Sequence, residues 1–429
     1  MKKYIFTVIT LFFCIHLNAQ NFSEYFSDKT LRLDYLFTGN AHQQNICVDE
    51  LIELPGWAGR KYRLTELPLQ GNGQITVKDV ASQKIIYRTS FSSLFQEWLE
   101  TEEAQKVTKG FENCFLIPFP LQPIEIEITL LDSKRNVRTQ LAHIVDPKDI
   151  LIHKKGLVHI TPHRYIVKSK QADTNSCINI AILAEGYTAN EMDLFYEDAK
   201  RTCESLFNHA PFQQTKDRFN VIAVASISKD SGVSVPRLNE WKQTAFNAHF
   251  STFYSDRYLT TSRIKAIHDA LAGIPYEHII VLANTDEYGG GGIYQSYTLT
   301  TAHHPQFPSV VVHEFGHSFG GLADEYFYDN DIMTDTYPLN IEPWEPNITT
   351  RVDFKSKWQD MLPQETPVPT SPTDSRLYPV GLYEGGGYSA KGIYRPADNC
   401  RMRTNDHPIF CLVCQRALLR MIDFYTNKP

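Results

Sequence analysis

The sequence predicts a chain of mixed α+β and α/β class, in which an N-terminal antiparallel β-sandwich precedes a larger α/β domain. Short alternating strands separated by polar turns fill the first part of the chain. After a polar stretch near residue 170, strands alternate with helices. The first pattern is typical of an antiparallel sandwich and the second of an α/β domain. We therefore expect domains at residues 20–165 and 170–429.

Residues 1–19 have the order of a secretory signal peptide. Lys2 and Lys3 precede an apolar stretch that ends at Leu17, and the small residue Ala19 precedes Gln20. A membrane anchor needs roughly 18 to 20 apolar residues, and this stretch is shorter. No later segment is long and apolar enough to span a bilayer. We expect residues 1–19 to be removed from a protein that is secreted or periplasmic, with the outer cell surface as a further location.

The charge of the chain argues against a nucleic-acid partner. Residues 1–19 contain two lysines and no acidic residue, so their removal changes the formal net charge from -7 to -9. A protein this acidic lacks the basic surface that binds phosphates.

The first domain is predicted from segments with strand character. These segments are Ile75–Val80, Ile85–Arg88 and the strictly alternating Ile124–Leu130. A polar turn at Asp132–Asn136 follows the last of them. No pattern in this domain indicates chemistry.

The second domain begins after a predicted linker at Lys168–Ser176. A capping box formed by Thr188 and Glu191 is expected to open a helix that ends near Phe207. The other predicted elements are buried strands at 178–183, 220–227 and 278–283, a helix at 264–271 and an apolar C-terminal helix at 411–425. The segment from Asp324 to Phe410 is long and irregular, which in a compact domain usually indicates function.

The motif His313-Glu314-x-x-His317 lies on an apolar stretch that is expected to form a buried helix. Histidines four residues apart share one helix face and can hold one zinc ion, while the adjacent glutamate reaches the water that the metal activates. Two buried histidines and a glutamate would be costly without a partner such as a metal. The sequence therefore predicts a zinc hydrolase with Glu314 as the general base.

A third protein ligand is expected because catalytic zinc usually keeps three protein ligands and one open position. Gly320 and Gly321 can end the helix and turn the chain back, which brings Asp324 toward the metal. Asp324 is the predicted third ligand. The rival ligands are Glu325, His303 and His304.

A glycine run at Gly289–Gly292 follows the third buried strand. It permits a close backbone approach, such as that of a peptide substrate adding itself to a sheet edge, or it forms a flexible loop. No lysine followed by serine or threonine comes after it, so it is not a phosphate-binding loop.

Two further groups of residues have alternative interpretations. Tyr394 or Arg395 could polarise a substrate carbonyl, and Met402 could lie under the metal, although a structural role is favoured for each of these residues taken alone. A structural zinc site could also form; its candidate ligands are Cys400, His407, Cys411 and Cys414. In an exported protein, a disulfide from Cys400 to Cys411 or Cys414 is favoured over that zinc site.

The motifs in combination resemble the IgA-peptidase family of zinc metallopeptidases. They are the string His313–Tyr326, the glycine-rich Tyr388–Pro396, Cys400-x-Met402 and Cys411-x-x-Cys414. The resemblance covers roughly residues 175–425, and the preceding β region is similar to the N-terminal domain that accompanies this family in Bacteroidetes-type bacteria.

The resemblance implies a metzincin-like zinc peptidase catalytic domain, with His313 and His317 as zinc ligands, Glu314 as the base and Met402 in a methionine turn. Metzincins usually place the third ligand six positions after the second histidine, which is Ala323 here, so Asp324 would act one position late. The implied substrate is a protein or glycoprotein, with immunoglobulin A as one example.

Two other functions remain open from the sequence. One is a glycan- or protein-binding surface module with a vestigial peptidase site, against which the intact Glu314 argues. The other is a zinc amidase that acts on cell-wall peptides.

Overall fold

The computed structural model describes residues 21–170, 177–327 and 336–427. The predicted signal peptide and most of the predicted linker lie outside the described residues. Within these ranges, no helix combines the length and the apolar character that a membrane crossing requires.

The N-terminal domain is a sandwich of two four-stranded sheets, ordered β5-β1-β2-β8 and β4-β3-β6-β7, which confirms the predicted fold class. Its strands pair antiparallel except for β2 and β8. Aliphatic and aromatic side chains from both sheets form one core between them. The elements are α1 (Phe22–Tyr25), β1 (Phe26–Gly39), β2 (Gln44–Pro55), β3 (Gly73–Asp79), β4 (Ile85–Phe91), α2 (Leu94–Leu99), β5 (Lys109–Pro120), β6 (Ile124–Leu131), β7 (Val137–Val145) and β8 (His153–Lys154).

Strand β1 has 14 residues, longer than the short strands expected from the sequence. Its apolar side chains face the sandwich core, whereas Arg32 and Asp34, on the opposite side, are fully buried. The Arg32 guanidinium binds both carboxylate oxygens of Asp34 and also Asp269 of the second domain. Because the charged side of β1 is buried against that domain, alternation of polar and apolar residues does not here identify a solvent-facing surface.

Replacing Asp34 with alanine is expected to lower the free energy of unfolding by about 3–5 kcal/mol, because it leaves a buried guanidinium without its main partner. Asp28→Ala is the matched control, since Asp28 pairs with Lys61 while 70% exposed, and its loss should cost about 1 kcal/mol or less. Urea unfolding of both variants measures the difference. Equal midpoints would contradict a stabilising role for the Arg32 contacts.

The second domain contains a six-stranded sheet of order β13-β14-β12-β10-β11-β9. The four inner strands are parallel, and the two edge strands β13 and β9 run antiparallel to their neighbours. A hairpin of β15 and β16 follows the sheet. The elements are β9 (His163–Val167), β10 (Ile178–Glu185), α3 (Met192–Phe207), β11 (Phe219–Val224), α4 (Ile264–Ala270), β12 (His278–Ala283), β13 (Gly290–Ile293), β14 (Tyr297–Thr301), α5 (Phe307–Gly320), β15 (Tyr383–Gly386), β16 (Ser389–Arg395) and α6 (Leu412–Thr426).

Helices cover both faces of this sheet. Helices α3, α5 and α6 pack on one face in a single apolar core. Helix α4 packs on the other face, together with Cys114 and Leu116 from β5 of the N-terminal domain. The N-terminal domain thus covers part of one face of the central sheet.

The strands predicted from continuous apolar runs are present, and the capping box of Thr188 and Glu191 forms and leads into α3. Two edge strands were not identified as strands from the sequence. Strand β9 pairs with β11 although it begins at His163, inside the range predicted for the first domain. Glycine-rich β13 is a strand rather than a loop. Edge strands bury less apolar surface, so their sequences carry a weaker pattern.

Candidate metal centre

Helix α5 positions the two histidines of the motif. Pro308 lies in its first turn, where the missing N–H costs nothing. The apolar side chains that bury it are Val310, Val311, Val312, Phe315 and Phe319. The helix ends at Gly321, whose φ of 58° is left-handed, and the N–H groups of Gly321 and Leu322 donate to the carbonyls of His317 and Gly316. This C-terminal cap turns the chain back, as the glycine pair predicts.

The glycine run lets strand β13 lie directly against α5. A Cβ at Gly292 would come within 2.2 Å of the Glu314 carbonyl oxygen, and one at Gly290 within 2.9 Å of Glu314 Oε1. The close backbone approach expected at these glycines is therefore made by the protein's own helix. Strand β13 is the edge of the sheet, and the outer side of Gly290 is bridged to Tyr258.

Both histidines are held in one tautomer by backbone carbonyls. His313 Nδ1 lies 3.0 Å from the carbonyl oxygen of Arg401, and His317 Nδ1 lies 2.6 Å from that of Leu322. A carbonyl oxygen only accepts hydrogen bonds, so each Nδ1 must carry the proton. The lone pair of each neutral ring is therefore on Nε2, as in metal-ligating histidines with a carbonyl partner.

Asp324 completes a group of three ligand atoms. The two Nε2 atoms are 3.0 Å apart, and Asp324 Oδ1 lies 3.1 Å from that of His313 and 3.3 Å from that of His317. Three acceptor atoms at this spacing repel one another unless a cation lies among them. The arrangement could hold one metal ion, and the structure thus brings together the three ligands predicted from the sequence.

The electrostatics of the group favour positive charge. Burial alone would raise the pKa of Asp324, but the adjacent His317 and His313 hold it well below its ordinary value. Burial opposes protonation of His317, yet Asp324 and Glu314 raise the pKa of its ring to about 9. Burial also raises the pKa of Glu314, while the two histidines act in the opposite direction. The carboxylate of Glu314 therefore binds a proton more readily than a solvent-exposed glutamate does.

Residues far away in the sequence fix the turn that carries Asp324. The Asn347 side chain accepts from the N–H of Ala323 and donates to its carbonyl. The Tyr388 hydroxyl donates to Asp324 Oδ2 at 2.5 Å, which leaves Oδ1 to face the histidines. Sequence reasoning missed this role of Tyr388, although the glycine-rich segment around it was part of the family resemblance.

Tyr388→Phe is expected to weaken metal binding by about 10- to 100-fold, because it removes a hydrogen bond that orients a ligand while sparing the ligand itself. Tyr394→Phe is the control, since it makes the same chemical change on the same hairpin. Titration of the metal-free protein with metal measures both affinities. Equal affinities for the two variants would show that the Tyr388 hydroxyl does not orient Asp324.

The family model described as IgA Peptidase M64 matches residues 166–378 and 373–422, which is more than half of the chain. The chain belongs to the IgA Peptidase M64 family. A second model, described as Peptidase M64 N-terminus, matches residues 21–142, and both matches agree with the resemblance drawn from the sequence. Membership makes the protein a metallopeptidase, and its substrates are proteins or peptides.

Two other comparisons add no further argument about function. A comparison with curated proteins found no match. The crystal structure of metalloproteinase-II from Bacteroides fragilis is 12% identical and covers 53% of this chain and 71% of that chain, with a TM-score of 0.22. A TM-score that low does not support a conclusion about the fold.

In this M64 peptidase, the structure gives Tyr394 and Arg395 contacts outside the metal-binding group. The Arg395 guanidinium is buried and donates to the carbonyls of Glu384 and Gly385. The Tyr394 backbone pairs with Thr349, and its ring lies below the Arg351 guanidinium. These contacts indicate that both residues stabilise the β15–β16 hairpin, and the predicted role in polarising a substrate carbonyl has no support from their positions.

The structure also shows the positions of the remaining candidate residues, Met402, His303 and His304. Met402 is fully buried against α5, where its sulfur would lie 2.8 Å from a Cβ at Gly316, and its place under the metal stays a prediction. His303 Nε2 binds Asp198 and the His304 ring contacts Tyr288, so neither rival ligand joins the group.

The N-terminal domain of this M64 peptidase, in which no sequence pattern indicates chemistry, contributes a carboxylate that interacts electrostatically with the centre. Glu97 on α2 accepts a hydrogen bond from the Tyr258 hydroxyl. Burial raises the pKa of Glu97 to about 7, and its carboxylate interacts electrostatically with His317 and Glu314. Only the folded arrangement of the two domains could reveal this residue, because nothing in the sequence near Glu97 differs from an ordinary amphipathic helix.

Proposed function

We propose that this protein is an exported zinc endopeptidase that hydrolyses peptide bonds in extended segments of host or dietary glycoproteins. Immunoglobulin A is one such substrate to be tested. The proposal narrows the metallopeptidase assignment in three respects, which are the metal, the substrate and the location.

The separation of the three ligand atoms supports zinc. A tetrahedron's edge is about 1.63 times its centre-to-corner distance, so nitrogen and oxygen ligands about 2.0–2.1 Å from zinc lie about 3.3–3.4 Å apart. The observed separations of 3.0, 3.1 and 3.3 Å are close to this. Two histidines and one carboxylate leave a fourth position open, which is the pattern of catalytic zinc.

The proposed reaction depends on Glu314 as the proton carrier. Bound zinc supplies a Lewis acid that lowers the pKa of water toward neutrality and polarises a carbonyl. Glu314 takes a proton from the attacking water while the oxygen of that water bonds to the carbonyl carbon. When the carbon–nitrogen bond breaks, Glu314 passes that proton to the departing amine. The raised pKa of Glu314 suits a group that must both accept and release a proton.

The edge strand β13 supports an extended substrate. It runs along the face of α5 that carries Glu314 and His317. Tyr258 bridges its outer side at Gly290, and among the described residues no further bridge forms on that side. Peptides commonly bind by adding an extended strand to such an edge. The order of residues 1–19, basic and then apolar and then small, supports export and therefore an extracellular or periplasmic substrate.

Digestion of a peptide library tests the proposed function. The protein without residues 1–19 is freed of metal with a chelator and then restored with zinc. Mass spectrometry should find new peptide ends only in the restored sample, and immunoglobulin A and mucin-type glycoproteins are then digested in the same way. Glu314→Gln protein serves as a control for a contaminating peptidase.

The other outcomes would overturn the proposal in different ways. Cleavage confined to cell-wall stem peptides would make the protein a zinc amidase. Binding of glycoproteins without cleavage by the zinc-restored protein would make it a binding module. Activity restored by another divalent metal and not by zinc would reject the choice of metal alone.

A further inference from the structure

A second group of potential metal ligands lies apart from the histidines. Its members are buried side chains from the turn after α5, the loop after β16 and the start of α6. They are Glu325, Cys400, Cys411 and Cys414, which we call the Cys3Glu cluster, and their ligand atoms all lie within 4.8 Å of one another. His407, a ligand considered from the sequence, is not in the cluster, and Glu325 takes its place.

The spacing of the sulfur atoms fits ligands of one metal ion. Cys400 Sγ and Cys414 Sγ are 3.8 Å apart. Two sulfurs bound to tetrahedral zinc at about 2.3 Å lie about 3.8 Å apart, whereas the sulfurs of a disulfide lie about 2.05 Å apart. The three cysteines of the cluster are free thiols in the structure.

Backbone N–H groups point at the sulfurs. Cys400 Sγ accepts from the N–H of Cys411 at 3.2 Å and from that of Met402 at 3.5 Å. Cys411 Sγ caps α6 and accepts from the N–H of Cys414. Such donors and the positive end of a helix both favour thiolates over thiols. Thiolates are the form in which cysteine binds metals.

The carboxylate of Glu325 needs a cation. It is fully buried, and its Oε1 contacts Cys414 Sγ at 3.1 Å and accepts from the Asn347 amide. Its Oε2 has no hydrogen-bond partner among the described residues. Burying a carboxylate with an unsatisfied oxygen is costly unless a metal or an ion pair compensates it.

Nearby charges can balance the cluster. Three thiolates and one carboxylate carry four negative charges, of which a divalent ion cancels two. The buried guanidinium of Arg395 interacts electrostatically with Glu325, and that of Arg401 interacts with Cys400. These two cations can supply the remaining positive charge.

We propose that the Cys3Glu cluster binds a structural zinc ion, separate from the metal of the histidine group. Four protein ligands fill a tetrahedral site completely, and a closed site of this type stabilises a fold rather than catalysing a reaction. The soft sulfur ligands favour zinc over magnesium or calcium.

The cluster connects directly to the histidine group. Glu325 follows Asp324 in the chain, and its N–H donates to the carbonyl of Met402. Cys400 precedes Arg401, whose carbonyl holds the His313 ring. A metal in the cluster would thus fix both the turn that presents Asp324 and the loop beneath α5.

The metal content of purified protein tests this proposal. The protein without residues 1–19, prepared without reducing agent, should contain two zinc ions per chain by elemental analysis. The double variant His313→Ala with His317→Ala should retain one ion, and its X-ray absorption spectrum should show sulfur at about 2.3 Å from zinc. This measurement leaves the Cys3Glu cluster intact, so it does not depend on the folding of cysteine variants.

Cysteine substitutions provide the complementary arm. Cys414→Ser should reduce the metal content from two ions to one and lower the midpoint of thermal unfolding, whereas Cys47→Ser, which changes an exposed cysteine, should retain both ions. If His313→Ala with His317→Ala binds no zinc, or mass spectrometry of the unmodified chain finds a disulfide between Cys400 and Cys411 or Cys414, the proposal is wrong. Neither result would affect the proposed peptidase, which depends on the histidine group alone.

Discussion

Glu314→Gln should lower peptide hydrolysis by about 10²- to 10⁴-fold, which is the range for loss of a general base. The change keeps the size and shape of the side chain and one acceptor oxygen, but it removes the ability to take a proton from water. Glu314 lies between the two histidines on α5, yet none of the three ligand atoms belongs to it. Metal content should therefore remain that of the unmodified protein.

The measurement is the turnover of a cleaved peptide, with metal content determined on the same sample. Glu240→Gln provides the matched control, because it makes the same chemical change at an exposed position. Activity of Glu314→Gln within tenfold of the unmodified protein would assign the base to another residue. Glu97 would then be the first alternative, since its carboxylate is electrostatically coupled to the same group.

Loss of a residue that only orients a ligand weakens metal binding by roughly 10- to 100-fold. Asp324→Ala is expected to weaken metal binding at the histidine group by more than this. It removes one of three ligand atoms and leaves two histidine nitrogens 3.0 Å apart with no carboxylate beside them. Hydrolysis should fall with metal occupancy and should recover in part at high zinc concentration.

Competition with a coloured zinc chelator measures the affinity, and Asp353→Ala, at an exposed position, provides the control. The expected order of affinity is the unmodified protein first, Tyr388→Phe second and Asp324→Ala last. If Asp324→Ala bound metal as tightly as Tyr388→Phe, Asp324 would be an orienting residue and the third ligand would lie elsewhere.

The sequence predicted the parts of the site that local geometry determines. His313 and His317 are one helical turn apart, and the glycines after them place Asp324 within reach, so short-range rules were sufficient. The same holds for strands β10 and β12, which are buried on both faces and consist of continuous apolar runs.

The parts of the site that the sequence missed, or that the structure leaves without support, depend on contacts between distant segments. Tyr388 is 64 residues from Asp324, and Glu97 belongs to another domain. Tyr394 and Arg395 were chosen because they follow a glycine-rich segment, but the hairpin directs them to Thr349 and to the carbonyls of its own first strand. Glu325 was considered only as a ligand of the first metal, because its proximity to three cysteines is set by the packing of α6.

The buried contact of Arg32 with Asp269 limits how the two domains can be separated or exchanged during evolution. The first domain supplies the partner of Asp269 and part of the apolar cover on one face of the central sheet. A gene rearrangement that separated the two domains would leave that sheet face open to water and Arg32 without one of its acceptors. Selection should therefore preserve the two domains as a pair, and an exchange of first domains between relatives should succeed only when the residues facing the sheet are exchanged with them.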